Sequence, residues 1–249
     1  MKISIITVVW NNKNTIKYAI DSVLNQTYKD IEYIVVDGKS TDGTVEIVQS
    51  YGDKISKFIS EKDNGIYDAM NKGLKLATGD IVGILNSDDF YMRDDVIEKV
   101  VNVFVENNVE SVFADLVYVK PDNSEKVVRY YDSSHFSPEK FAYGWMPAHP
   151  TFFVKREMYE RYGYFKTDYK IAADYELLTR FLARYGVSYH YLQMPIVKMR
   201  LGGVSTSSLK SNLILNQEIL RACHENEIYS NWLMVLSKYP KKILGLLKK

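Results

Sequence analysis

At 249 residues with 46% apolar content, the chain is long enough for one sizeable domain with a packed core, which excludes a disordered or low-complexity protein. The balance of 32 basic and 31 acidic side chains leaves a net charge of +1 and removes any global electrostatic reason to expect a nucleic-acid partner. One cysteine, Cys223, excludes an intramolecular disulfide, and four scattered histidines show no zinc-ligand spacing, so a reducing compartment fits.

The chain opens on Met-Lys and passes directly into the β-branched run Ile3 to Val9, with no long apolar stretch or Arg-rich presequence, and a cytoplasmic protein is expected. Asn11, Asn12 and Asn14 form a polar break, after which Ile16, Ala19, Ile20, Val23 and Leu24 fall at helical spacing. The same unit recurs: a strand over Ile31 to Val36, a polar loop from Asp37 to Gly43, and a short helix through Val45, Ile47 and Val48. A minor strand at Phe58 to Ser60 precedes a helix whose inner face carries Ile66, Ala69, Met70, Gly73, Leu74 and Ala77, and a strand at Ile81 to Leu85 ends in Asn86-Ser87-Asp88-Asp89. Such alternation predicts an α/β fold with a mostly parallel, Rossmann-like sheet and helices on both faces.

Asp94 is the expected cap of a helix through Val96, Val100 and Phe104, and Ser111 to Val119 with Lys126 to Tyr131 reads as an antiparallel pair about the turn at Pro121-Asp122-Asn123. Beyond it the alternation gives way to loops at Ser133 to Pro138 and Gly144 to Pro150, a helix from Ala173 to Tyr185 and a strand ending near Leu201. A helical stretch over Ser207 to Glu225 follows. The chain then closes on a basic amphipathic tail from Lys238 to Lys249, whose lysines surround Ile243, Leu244, Leu246 and Leu247 in the manner of a reversible membrane contact or a solvated terminal helix.

Ligands of parallel α/β sheets bind beyond the carboxyl ends of the strands, which raises the interest of three polar clusters: Thr7 to Asn11, Asp37 to Thr44 and Asn86 to Asp89. Turn formation and helix capping account for many such residues, yet adjacent carboxylates at the end of a buried strand repel unless a cation or donor compensates them. A divalent ion held by one or two carboxylates and by phosphate oxygens is a common solution, and it suits a pyrophosphate.

These residues resemble glycosyltransferase family 2, inverting enzymes of the nucleotide-diphospho-sugar transferase (GT-A) fold, and among them bacterial enzymes of surface polysaccharides such as O-antigen or capsule. The resemblance runs over residues 1–205 through Ile6-Thr-Val-Val-Trp-Asn11, Val36-Asp-Gly-Lys-Ser-Thr-Asp-Gly-Thr44, Asp63-Asn-Gly-Ile-Tyr-Asp-Ala-Met-Asn-Lys-Gly73, Gly79-Asp80, Leu85-Asn-Ser-Asp-Asp89, Ala173-Asp-Tyr-Glu176 and Arg200-Leu-Gly-Gly-Val-Ser205. It implies a nucleotide-sugar-binding half over 1–110, an acceptor half over 111–205 and a C-terminal helical extension over 206–249. It also implies a nucleotide-diphospho-sugar donor, UDP-linked first of all, a glycan or lipid-linked acceptor, and Mn2+ or Mg2+ as cofactor.

Carried over by position, the resemblance puts Thr7, Val9, Asn11 and Asp37 at the base pocket, Asp63, Asp68 and Asn71 beside the donor, Asp88 near the ribose and Asp89 on the metal. Asp174 matches the general base, against a plain role as helix cap. Arg200, followed by Gly202-Gly203, offers a fork of donors to a phosphate. Trp145 and His149 are acceptor-side candidates, each with a structural alternative in a proline-bounded loop. Two positions depart from the family pattern: Asn86 stands where many members have the first aspartate of Asp-x-Asp, and Ala173 where many have a glutamate. Those departures are what favour a rival reading as a catalytically silent sugar-nucleotide or glycan-binding protein. A nicotinamide dehydrogenase is excluded, because Trp10-Asn-Asn-Lys stands where Gly-x-Gly-x-x-Gly would be needed.

Overall fold

The computed structural model describes residues 1–202 and 209–239, within which nine strands join in one sheet. Its first half is parallel: β1 (Ile3–Val9) lies between β2 (Ile31–Asp37) and β4 (Ile81–Ile84), and β3 (Lys57–Ser60) flanks β2. β8 (Phe153–Lys155) then runs antiparallel between β4 and β6 (Ser111–Lys120), β9 (Tyr189–Arg200) runs parallel to β6, and β5 (Phe90–Tyr91) closes the far edge antiparallel to β9. β7 (Asn123–Tyr131) forms the expected hairpin with β6. The architecture is the mixed α/β, mostly parallel one that the alternation implies.

β1 is buried along its whole length because both faces are covered, which is why apolar residues occupy both of its faces, with Ser4 and Thr7 as the polar exceptions. Ile6 and Val8 pack toward α3 (Ile66–Leu76), while Ile3, Ile5 and Val9 pack toward α1 (Ile16–Leu24) and α4 (Val96–Asn107). Helix α3 comes close enough that a Cβ on Gly73 would lie 2.4 Å from Cγ2 of Ile6, so this spacing depends on glycine.

Helix α4 starts one residue later than expected. Asp95, not Asp94, precedes it, and the Asp95 carboxylate is taken by Arg93 at 2.8 Å and Lys99 at 3.4 Å instead of capping the helix. The helix expected from Ala173 is α6 (Ala173–Leu178), continued by a π-helical turn over Thr179–Arg184. Four short elements go beyond the sequence reading: β5, β8, α5 (Arg156–Tyr162) and α8 (Trp232–Leu236).

Helix α7 (Leu209–Glu225) is woven into the second half of the sheet-forming region, at the approach to α6. Its Glu218 carboxylate accepts the backbone N–H groups of Lys170, Ile171 and Ala172 at 2.7, 2.9 and 2.9 Å, just ahead of α6, and Asn226 donates to Glu176 at 3.2 Å. Among the described residues no helix is long and apolar enough to cross a membrane. Most of the basic tail, residues 240–249, lies outside the described residues, as do Gly203 to Ser205 of the Arg200 motif.

Candidate active site

Beyond the carboxyl ends of β1 and β4 opens a cavity of about 460 Å³. Val8, Val9 and Trp10 wall it from β1, Asn86, Ser87 and Asp88 from the turn after β4, Asp63 and Tyr67 from α3 and its approach, and His149 and Asp174 from the second half of the chain. Side chains from both halves of the chain therefore meet on one space.

Asp37, expected in the base pocket, is fully buried at the last position of β2 and does not line the cavity. One carboxylate oxygen accepts from Ser40 N at 3.0 Å and Ser60 Oγ at 2.6 Å, whereas Oδ1 has no hydrogen-bond partner. A buried acceptor left this way costs free energy, so the position favours a ligand N–H. Asp63 stands beside it: a Cβ on Gly38 would come within 2.4 Å of Asp63 Oδ2, so only glycine permits this approach. Asn11 sits at φ 47° and ties the two loops together, its amide oxygen accepting from Thr41 N at 2.8 Å and its N–H donating to Ser40 Oγ at 2.7 Å. The Thr7 side chain lies in the core and accepts from the Tyr33 hydroxyl at 3.0 Å.

The acidic cluster divides differently from the expected arrangement. A turn closed by Asp89 N donating to Asn86 O at 3.1 Å leaves Asp88 on the cavity wall and carries Asp89 inward toward β5. Asp89, expected on the metal, is fully buried and takes no part in the wall; Asp88, expected at the ribose, is the carboxylate the cavity reaches. Asn86 donates to Asp89 Oδ2 at 3.3 Å, while Asn86 Oδ1 and Asp89 Oδ1 have no hydrogen-bond partner. Burial pushes the Asp88 carboxyl up, and it pushes Asp89 well up with the Asp88 charge adding to the effect; the charge of Arg200 opposes both shifts. Arg200 is itself buried, with its guanidinium 4.6 Å from the Tyr18 ring and 5.2 Å from that of Phe90, Nη1 on Pro121 O at 3.1 Å, and Nε and Nη2 without a hydrogen-bond partner.

On the acceptor side, Asp174 Oδ2 lies 3.1 Å from His149 Nδ1, and Oδ1 accepts from Tyr175 N at 2.8 Å. His149 begins the tight turn His149–Thr151, which Thr151 locks by donating to Ala148 O at 2.7 Å and accepting from Ala114 N at 3.0 Å. Tyr67 fixes the other flank through its hydroxyl to Ile171 O at 2.5 Å, and burial together with the charge of Asp174 raises the pKa of that hydroxyl. Glu218 meets the backbone donors ahead of α6, which leaves the Asp174 carboxylate turned to His149 and the cavity. Glu176 is fully buried against Arg180 at 2.9 Å and Lys166 at 3.0 Å, out of reach of an acceptor. Removing the Glu218 clamp in Glu218→Ala strands three N–H groups, of which that of Ala172 is buried; urea denaturation should show a loss of about 2 kcal/mol.

Three other expected residues have their polar groups occupied elsewhere or lie off the wall. Asn71 clamps the backbone of Phe165 by two bonds, at 2.8 and 3.0 Å, and Asp68 accepts from Asn64 N at 3.0 Å. Trp145 does not line the cavity. Sequence reasoning passed over Trp10, Lys170 and Glu218. The position of Trp10, directly after β1, was a usable signal, whereas nothing local marks Glu218.

The model of the family described as glycosyl transferase family 2 matches residues 4–163. A glycosyltransferase of Rickettsia typhi is 31% identical over 236 residues, covering 88% of this chain and 70% of that one. A PGL/p-HBAD biosynthesis glycosyltransferase of Mycobacterium tuberculosis is 26% identical over 222 residues, covering 88% and 82%. Among solved structures, residues 1–349 of S. aureus TarS in complex with UDP-GlcNAc superpose with a TM-score of 0.67 at 20% identity, covering 88% of this chain and 67% of that one. A mannosyltransferase from Pyrobaculum calidifontis, solved with GDP-Man and Mn2+, gives 0.64 at 22% identity, covering 90% and 63%. The parallel half-sheet, the cavity at its carboxyl edge and these likenesses lead to one assignment: the chain belongs to glycosyltransferase family 2 and is a glycosyltransferase of the GT-A fold.

Proposed function

We propose that this glycosyltransferase moves a hexose from a nucleotide diphosphate, UDP first of all, to a hydroxyl of a glycan or lipid-linked acceptor in bacterial surface polysaccharide synthesis. The reaction is a direct displacement with inversion, carried out at the cytoplasmic face of the membrane. One observation carries the reading: Asp88 and the His149–Asp174 pair wall the same cavity from opposite halves of the chain. The ligands of the two solved structures, UDP-GlcNAc in one and GDP-Man in the other, support a nucleotide-sugar donor.

In this scheme Asp37 accepts an N–H of the base through its unpartnered Oδ1, and Trp10 offers a flat face beside it. Asp88 and the amide oxygen of Asn86 would hold a divalent cation, Mn2+ or Mg2+. Oxygen donors suit such a hard ion, and Asn86 Oδ1, which has no hydrogen-bond partner, fits a cation nearby. When bound, the cation supplies neutralisation of the charge on the departing nucleotide diphosphate. Asp174 takes the acceptor proton as the hydroxyl attacks, and His149 donates its Nδ1–H to hold the carboxylate in place. Arg200, set behind the acidic turn, offsets the charge of Asp88 and Asp89.

Release of nucleoside diphosphate from a set of sugar nucleotides, measured with manganese and with water or a glycan as acceptor, tests the reading. A donor that stabilises the protein in thermal shift yet is never turned over would sink it in favour of a silent binding protein. For His149, a hydrogen bond to a charged group worth about 1.5–3 kcal/mol predicts a roughly tenfold to hundredfold drop in kcat for His149→Ala with donor affinity unchanged. His149→Asn, which keeps an N–H near Nδ1, should recover part of it. Equal rates for the alanine variant and wild type would remove His149 from the mechanism.

A further inference from the structure

Helix α8 and the residues leading into it present an apolar surface to solvent. Tyr229 and Leu233 expose 79% and 83% of their area, and Trp232 and Leu236 expose 42% each. Four large apolar side chains within eight residues are more than scattered surface hydrophobes. Their orientation is set from the opposite side: Asn231 caps the helix, accepting from Met234 N at 3.0 Å, and Val235 is fully buried. Ser230 donates to Ala142 O at 2.6 Å, and a Cβ on Gly144 would meet Lys238 and Val235. Thus α8 rests on the loop that continues, five residues past Gly144, to His149 and its bond with Asp174.

We infer that the Tyr229–Leu236 face docks on an anionic lipid bilayer and sets the acceptor side of the cavity at the membrane surface. Tryptophan and tyrosine among leucines suit the level where acyl chains meet headgroups. The sequence over 240–249, past buried Lys238, carries four lysines and no acidic residue, a composition that complements anionic headgroups. Docking here would let the enzyme take a lipid-linked acceptor from the bilayer; that consequence rests on the transferase reading above, whereas the docking itself does not.

The test is co-sedimentation of the full chain with vesicles of phosphatidylcholine alone and of phosphatidylcholine with phosphatidylglycerol, comparing wild type with the double variant Leu233→Ser/Leu236→Ser. Both positions are exposed and outside the cavity, so the variant should fold and hydrolyse donor as wild type does. Wild type should partition onto the anionic vesicles and the variant about tenfold less. Absence of wild-type sedimentation, or equal sedimentation of the variant, overturns the inference. So does a concentration-dependent dimer that the double substitution abolishes while vesicles bind neither protein. Because vesicle binding needs no sugar nucleotide, its failure leaves the transferase reading standing, and absent turnover with intact vesicle binding sinks only the latter.

Discussion

Asp174→Asn should lower kcat by about 10²–10⁴-fold while leaving the affinity for the sugar nucleotide within a few-fold of wild type. Asparagine fills the same space in the first turn of α6, but its amide cannot take up the proton of the attacking hydroxyl. Folding should be spared, because the backbone donors ahead of α6 are held by Glu218 and not by Asp174. The local alternative is closed as well, since Glu176, two residues along, is buried against Arg180 and Lys166. Near-normal turnover in Asp174→Asn, or a loss of thermal stability in place of activity, would show the residue to be structural. Assaying the variant on a pre-formed donor complex separates the two outcomes, because a base that is missing slows only the step after binding.

The parallel half of the fold was legible because its signals are local and redundant. Ile3 to Val9 and Ile31 to Val36 are apolar at every position or nearly so, and Ala69, Met70, Gly73 and Leu74 mark the face of α3 that meets them. The polar clusters after β1 and β4 pointed to the edge of the sheet where the cavity opens. What the sequence could not supply was direction within a turn and contact across long separations. Asp88 and Asp89 are adjacent, and only the closure of Asp89 N on Asn86 O decides which one faces the cavity. The partners His149 and Asp174 lie 25 residues apart, and Glu218 reaches its N–H groups across 46 to 48 positions, with no periodicity linking them. Thr7 and Asn71 illustrate the converse: both sit in motifs that resemble a binding site, yet their polar atoms are engaged by Tyr33 and by the Phe165 backbone.

The reversal within the acidic turn leads to the second large effect, in which Asp88→Asn should abolish most of the manganese-dependent gain in nucleotide affinity, a loss on the order of 10²-fold. Access and charge set this effect. Asp88 is the carboxylate on the cavity wall, and the amide that replaces it keeps an oxygen but loses the negative charge that draws a divalent ion out of water. Asp89→Asn should behave differently, because Asp89 is enclosed behind the turn and takes no part in the cavity wall. That variant should retain the manganese effect within a few-fold. Calorimetric titration of UDP into each protein, with manganese and again with a chelator, measures the difference directly. Unchanged manganese-dependent affinity in Asp88→Asn, or its loss in Asp89→Asn alone, would return the metal to Asp89 and require the turn to open when the donor binds.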